Sequence, residues 1–184
     1  CATIAQSFML VVTMPLGGIS AGTGTILAYN YGARRRDRIL KAQGFIAILC
    51  VAYVTALFLL SRLGGGLFVA LFTTEPALAA EALDAIHVCT LAIIPLGIQY
   101  AIVDGFTGMG KVQVSLPLSA FRKAVYFIAL FALPAAFGAR ATFYAEPISD
   151  ILGPIVSVAV YALVIRRLLN FPPAPPAGEE PIPS

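Results

Sequence analysis

The chain has 184 residues, of which 59% are hydrophobic and only 11% are charged, and its net charge is +3. Soluble domains carry about 25% charged residues, so this composition leaves too few polar side chains to cover a water-facing globule. The composition therefore excludes a disordered chain, a nucleic-acid-binding protein and a cytosolic enzyme, and it predicts an integral membrane protein.

Five stretches with few or no charged residues are long enough to cross a membrane as helices, which takes about 20 mostly apolar residues each. The predicted spans are about 3–31, 41–61, 84–108, 116–138 and 144–166. They do not alternate apolar and polar residues as barrel strands do. The sequence thus predicts an all-α membrane bundle over residues 1–170. The glycine-rich segment 63–74 is predicted to be a turn followed by a short interfacial piece.

The first span combines a proline with several small residues. Pro15 removes a backbone hydrogen bond, and Gly18 and Gly22 have the small-xxx-small spacing that permits close helix contact. These features fit either simple packing or a bendable helix beside a cavity, as alternating-access transporters need. We favour the second for this span, so Pro15, Gly18 and Gly22 are candidate hinge or cavity-lining residues.

The third and fourth spans contain charged residues at similar predicted depth. Asp104 lies about 7 Å from the predicted cytoplasmic end of the third span, and Arg122 and Lys123 lie about 9–11 Å into the fourth. Charges at this depth are usually paired or face water. We therefore predict an ion pair between Asp104 and Arg122 or Lys123, which is either structural, the interpretation we favour, or a gate on the cytoplasmic side.

The fifth span begins with two acidic residues, Glu146 and Asp150, four positions apart and hence on one helix face. Neighbouring carboxylates raise each other's proton affinity, which suits proton or cation coupling. Alternatively, a helix starting near Pro147 would make Asp150 a first-turn residue at the outer surface. Both interpretations remain open, and Glu146 and Asp150 are candidate coupling residues.

Basic residues predict the orientation. With alternating spans, ten of the twelve fall on one side of the membrane and only Arg62 and Arg140 on the other. The ten are Arg34, Arg35, Arg36, Arg38, Lys41, Lys111, Arg122, Lys123, Arg166 and Arg167. The positive-inside rule puts them in the cytoplasm, together with a proline-rich tail, 171–184, that is predicted to be disordered. Because the spans are odd in number and the chain enters an apolar segment at once, we expect it to be part of a longer protein.

No pattern in the sequence indicates an enzyme or a metal centre. HExxH, GxSxG, P-loop and CxxC motifs are absent, and the single histidine, His87, has no second ligand at metal spacing apart from Asp84. We therefore predict a protein without a catalytic residue, a cofactor, a metal site or a nucleic-acid partner.

Several stretches together resemble the carboxy-terminal half of the multidrug and toxic compound extrusion (MATE) transporters. They are TMP at 13–15 with YNYGARRRDR at 29–38, LFT at 71–73, GMGK at 108–111, FRK at 121–123 and YAEPISDIL at 144–152. Each piece is short, and the specificity comes from their order and spacing over residues 1–168.

The resemblance implies that the five spans are helices eight to twelve of twelve and form most of one six-helix lobe. It implies an exporter of amphipathic cationic compounds that uses Na⁺ or H⁺ antiport, in the plasma membrane, with an N-terminal lobe and the lipid bilayer as partners. Gln99 and Tyr100 then become candidate cavity-lining residues, and Glu146 and Asp150 belong to a motif of the last helix. The alternatives are a lipid-linked saccharide flippase of the same superfamily, or a non-transporting membrane fragment.

Overall fold

The computed structural model describes residues 2–170. Its helices are α1 (Ala2–Gly32), α2 (Arg36–Ala70), α3 (Pro76–Cys89), α4 (Ile93–Gly108), α5 (Val112–Phe137) and α6 (Ala145–Leu168), with 3-10 turns at Thr90–Ala92 and Ala139–Tyr144. The described residues contain no strand, and the all-α fold class is confirmed. The predicted tail, 171–184, lies outside the described residues.

Five helical stretches are long and apolar enough to cross a membrane. They are Thr3–Gly32, Arg36–Ala70, Pro76–Gly108, Val112–Phe137 and Ala139–Leu168. Large apolar side chains cover their outer surfaces: Leu63, Phe131 and Leu163 are 88%, 74% and 72% exposed. An apolar surface of this extent calls for lipid or further helices around it.

The three consecutive glycines of the second span do not form a turn. α2 continues through Gly64, Gly65 and Gly66 to Ala70, so the prediction of a turn at this point is wrong. Only a helix satisfies the backbone inside a long apolar segment, and this requirement outweighs the conformational freedom of glycine. Gly65 serves packing instead, because a Cβ there would lie 2.8 Å from the Leu83 Cδ1 atom of α3.

The third span is interrupted. Its helix begins at Pro76, earlier than predicted, and a 3-10 turn at Thr90–Ala92 separates α3 from α4. Pro95 follows this turn and has no N–H to donate to the carbonyl four residues earlier, which accounts for the break. The break redirects α4 into the centre of the bundle.

α4 is the central helix, and it packs against α1, α2, α5 and α6. Two close contacts hold it there. A methyl group on Gly108 would lie 2.7 Å from the Gly24 carbonyl oxygen, so α1 and α4 cross backbone to backbone. On the other side, the Gln43 side chain of α2 donates a 2.6 Å hydrogen bond to the Ala101 carbonyl oxygen. These contacts fix the face that α4 presents to α5 and α6.

The close contact of α1 does not involve the predicted small-residue pair. Gly18 and Gly22 are exposed, and a Cβ at either would meet nothing within 4 Å. Pro15 is also exposed, and α1 continues through it without a break. Gly24, rather than the predicted pair, makes the close helix crossing.

Candidate functional site

A short turn makes α4 and α5 antiparallel neighbours. The turn contains Gly110 with φ of 74°, a left-handed conformation that glycine adopts without strain. α6 packs against both helices. Charged and polar side chains from all three helices therefore meet inside the bundle, around Arg122.

Arg122 and Asp150 form a buried ion pair between α5 and α6. The Arg122 Nη1 atom donates to the Asp150 Oδ1 atom at 3.1 Å, and the two side chains are 17% and 1% exposed. Ser149 Oγ lies 3.4 Å from the same oxygen. The second carboxylate oxygen, Oδ2, is buried and has no hydrogen-bond partner among the described residues. Arg122 therefore holds Asp150 through one oxygen only.

In this structure Asp104 is not paired with Arg122 or Lys123, in contrast to the prediction. Asp104 accepts a hydrogen bond from the Ser20 hydroxyl of α1, whereas Arg122 binds Asp150. The two residues also differ in their distance from the ends of their helices. Because α5 begins at Val112, Arg122 is ten residues into its helix, about 15 Å, whereas Asp104 is four residues from the end of α4, about 6 Å.

Asp150 lies inside the bundle and not at its outer surface. α6 begins at Ala145, directly after a 3-10 turn, so Asp150 is in its second turn. The alternative of a first-turn surface residue is therefore wrong for Asp150. Glu146 is in the first turn, yet it is half-buried, and its Oε2 atom is buried without a hydrogen-bond partner among the described residues. Both carboxylates point toward α5.

Gln99 and Tyr100 of α4 complete the cluster. Gln99 is 2% exposed, and neither polar atom of its amide has a partner among the described residues. Its Oε1 atom would lie 2.6 Å from a Cβ on Gly153, one turn beyond Asp150. The Tyr100 ring centroid lies 5.9 Å from the Cζ atom of Arg122. The glycine thus leaves space for the amide beside the ion pair.

Two small cavities flank this cluster. The Asp104 cavity, about 140 Å³, is lined by Gln99, Tyr100, Val103, Asp104, Ser119 and Arg122. The Asp150 cavity, about 150 Å³, is lined by Gln6, Met9, Leu10, Thr13, Leu96, Tyr100, Arg122, Lys123, Glu146 and Asp150. Tyr100 and Arg122 line both cavities. Each volume is large enough to hold several water molecules.

Two further residues considered from the sequence are Lys123 and His87. Lys123 is exposed and lines the Asp150 cavity with Glu146. His87 of α3 contacts the Ser61 carbonyl oxygen at 3.1 Å through Nε2, and no group of metal-ligating residues occurs in the described part of the chain. Sequence reasoning missed Ser20, although a serine in a span without charged residues is a signal for a polar contact inside the bundle.

The fold and this buried polar cluster define an all-α bundle with five helical stretches able to cross a membrane. The MatE family model matches residues 1–130. This match covers most of the chain, and the chain belongs to the MATE family.

Two solved structures are similar to the chain. One, described as an inward-facing conformation of a multidrug resistance MATE family transporter of the MOP superfamily, gives a TM-score of 0.77 at 17% identity over 89% of this chain and 39% of its own. The other is a ligand complex of the MATE multidrug transporter DinF-BH. It gives a TM-score of 0.81 at 25% identity over 91% of this chain and 37% of its own. The chain thus spans less than two-fifths of either transporter. No curated protein matches the sequence.

Proposed function

We propose that this chain is the carboxy-terminal part of a secondary active transporter that exports amphipathic cations by Na⁺ or H⁺ antiport. The observation that carries the proposal is the buried Arg122–Asp150 ion pair, which lies between two cavities at the centre of the bundle. Charges inside a membrane protein are costly, and they mark ion and substrate pathways. The two matched structures are multidrug transporters, and the second is a complex with a ligand.

The charges around Arg122 leave room for one more cation. Asp104, Glu146 and Asp150 line the two cavities, and only Arg122 and Lys123 oppose them. Three carboxylates against two cations leave one negative charge. A proton or a sodium ion bound at Glu146 and Asp150 would neutralise it, and the free Oδ2 and Oε2 atoms are oxygen ligands for either.

The proposed cycle uses this charge balance. The driving cation enters from outside and binds at Glu146 and Asp150. The helices then repack, and the drug site opens to the other side. The rest of the transporter, including an N-terminal lobe, supplies the remaining helices. The proposed membrane is the plasma membrane. The carboxy-terminal end is proposed to lie in the cytoplasm, because the positive-inside rule favours that side for the eight basic residues near the helix ends, 34–41, 111 and 166–167.

Three alternatives compete with this proposal. A flippase for lipid-linked saccharides would need excess positive charge to bind a pyrophosphate, whereas the two cavities carry more acidic than basic residues. A membrane enzyme would need a catalytic constellation, and the relatives are transporters. A non-transporting fragment predicts no export at all, which the following experiment measures directly.

The test uses cells that express the complete gene encoding this chain. Ethidium efflux is expected to exceed that of cells with an empty vector, and it should stop when the Na⁺ and H⁺ gradients are both collapsed. Efflux that persists without either gradient would contradict antiport. Absence of efflux from cells in which the protein reaches the membrane would favour the non-transporting fragment.

Glu146→Gln is expected to reduce efflux by about tenfold or more, equivalent to at least roughly 1.4 kcal/mol. The substitution keeps the size of the side chain but removes the charge that binds the driving cation. Glu75→Gln is the matched control, since Glu75 is an exposed residue before α3 and outside both cavities. Equal efflux from the two variants at equal abundance would remove Glu146 from the coupling site.

A further inference from the structure

We propose that Arg122 is a tethered cation that binds Asp150 when no driving ion is present and moves to Asp104 when the driving ion arrives. Arg122 is thus a positioning residue that makes ion binding and helix rearrangement mutually dependent. The inference rests on the proposed function, because it assigns to Arg122 the step by which the driving ion is exchanged.

The position of Arg122 carries this inference. Arg122 and Tyr100 are the two residues that line both cavities, with Asp150 in one cavity and Asp104 in the other. The guanidinium carbon already lies 5.9 Å from the Tyr100 ring centroid. An aromatic face at this distance attracts a guanidinium. Tyr100 therefore offers a surface along which the group can pass from one carboxylate to the other.

The contact with Asp150 can be exchanged. It consists of one hydrogen bond of 3.1 Å to Oδ1, whereas the strong arginine–carboxylate pairs use two parallel bonds. The Oδ2 atom and the Gln99 amide have no partner among the described residues. A cation that enters the Asp150 cavity therefore finds a free carboxylate oxygen before the arginine leaves.

Helix geometry favours Asp104 as the second partner. Every Cα–Cβ bond tilts toward the amino-terminal end of its helix. α4 and α5 are antiparallel, so the amino-terminal ends of the two helices lie at opposite ends of the bundle. The Cα–Cβ bond of Asp104 therefore tilts toward the depth of Arg122, and that of Arg122 tilts toward the depth of Asp104. Within residues 2–170, Asp104 has only the neutral Ser20 hydroxyl as a partner. A displaced guanidinium would supply the missing charge.

The exchange keeps the Asp150 carboxylate neutralised throughout and adds a charged partner for Asp104 once the driving ion has bound. Before ion binding, Arg122 neutralises Asp150; after it, the driving ion neutralises Asp150 and Arg122 neutralises Asp104. The charged and titratable groups around the Asp150 carboxylate are Arg122 and Lys123 of α5, Tyr100 of α4, Cys89 at the end of α3 and Glu146 of α6. Of the two basic groups, Arg122 alone also lines the Asp104 cavity, and this restricts the role to one residue.

The test measures how much driving ion is needed for half-maximal ethidium efflux, by titrating Na⁺ and protons separately with the complete transporter in proteoliposomes. Asp104→Asn removes the second partner and holds Arg122 on Asp150, so the required ion concentration should rise by about fivefold or more. Arg122→Gln removes the competitor and should lower it by a similar factor. Asp104→Asn added to Arg122→Gln should change nothing further.

Two controls change charge outside the cavities. Asp84→Asn removes an exposed carboxylate of α3, and Lys111→Gln removes a basic residue at the start of α5; neither should shift the titration. If the Arg122→Gln protein does not accumulate, the Asp104→Asn variant alone tests the proposal. This variant should still fold, because the new amide oxygen can accept the hydrogen bond from the Ser20 hydroxyl. Unchanged half-maximal concentrations in Asp104→Asn with intact, gradient-dependent efflux would overturn the tethered cation and leave the proposed function standing. Gradient-independent efflux in the wild type would overturn the proposed function itself.

Discussion

Arg122→Ala is expected to destabilise the bundle by about 3–5 kcal/mol, because it leaves a buried carboxylate without its partner. Asp150 is 1% exposed, and Arg122 is the only side chain with which it forms an ion pair among the described residues. The measurement is thermal unfolding of the purified protein in detergent, followed by the loss of monodisperse protein. Because the penalty arises from the unpaired charge, adding Asp150→Asn to Arg122→Ala should recover much of the stability.

Arg140→Ala is the matched control for this prediction. Arg140 also forms an ion pair, with Glu81 at 3.7 Å, but its side chain is 86% exposed. Exposed ion pairs contribute at most about 1 kcal/mol, so this variant should unfold close to the wild type. A loss of stability as large as that of Arg122→Ala would show that burial is not the cause.

Gly108→Ala is expected to cost about 1–3 kcal/mol through overpacking of the α1–α4 crossing. The new Cβ would lie 2.7 Å from the carbonyl oxygen and 2.9 Å from the Cα atom of Gly24. Both are backbone atoms, so relief requires one helix to move and not merely a change of rotamer. Thermal unfolding and abundance in the membrane measure the effect.

Gly24→Ala tests the same crossing from the other side, and Gly22→Ala is a control at an exposed position of α1. A Cβ on Gly24 would approach only to 3.6 Å of the Gly108 Cα atom, an ordinary contact, and one on Gly22 would meet nothing within 4 Å. Both variants should retain nearly wild-type stability. If all three substitutions have the same effect, helix propensity and not the crossing determines the result.

The sequence predicted the spans better than their ends. Runs without charged residues predicted five apolar segments, because few charges are tolerated within lipid. The positions of charged residues can be read directly from the sequence without knowledge of the fold. The extension of α2 through Gly64 to Ala70 was missed because glycine predicts a turn in water, whereas the apolar surroundings keep it helical. The break at Thr90–Ala92 likewise depends on how α3 and α4 pack, although Pro95 marks its neighbourhood.

Composition and the spacing of charges were enough to predict an all-α membrane bundle, to propose its orientation and to single out Asp104, Arg122, Glu146 and Asp150 as unusual. Only the tertiary structure decided their partners. Depth along a helix depends on where the helix starts. α5 starts one turn before the predicted residue, so Arg122 lies farther from the start of α5 than predicted. Which helices are neighbours depends on packing between segments far apart in sequence, and α6 brings Asp150, not Asp104, to Arg122.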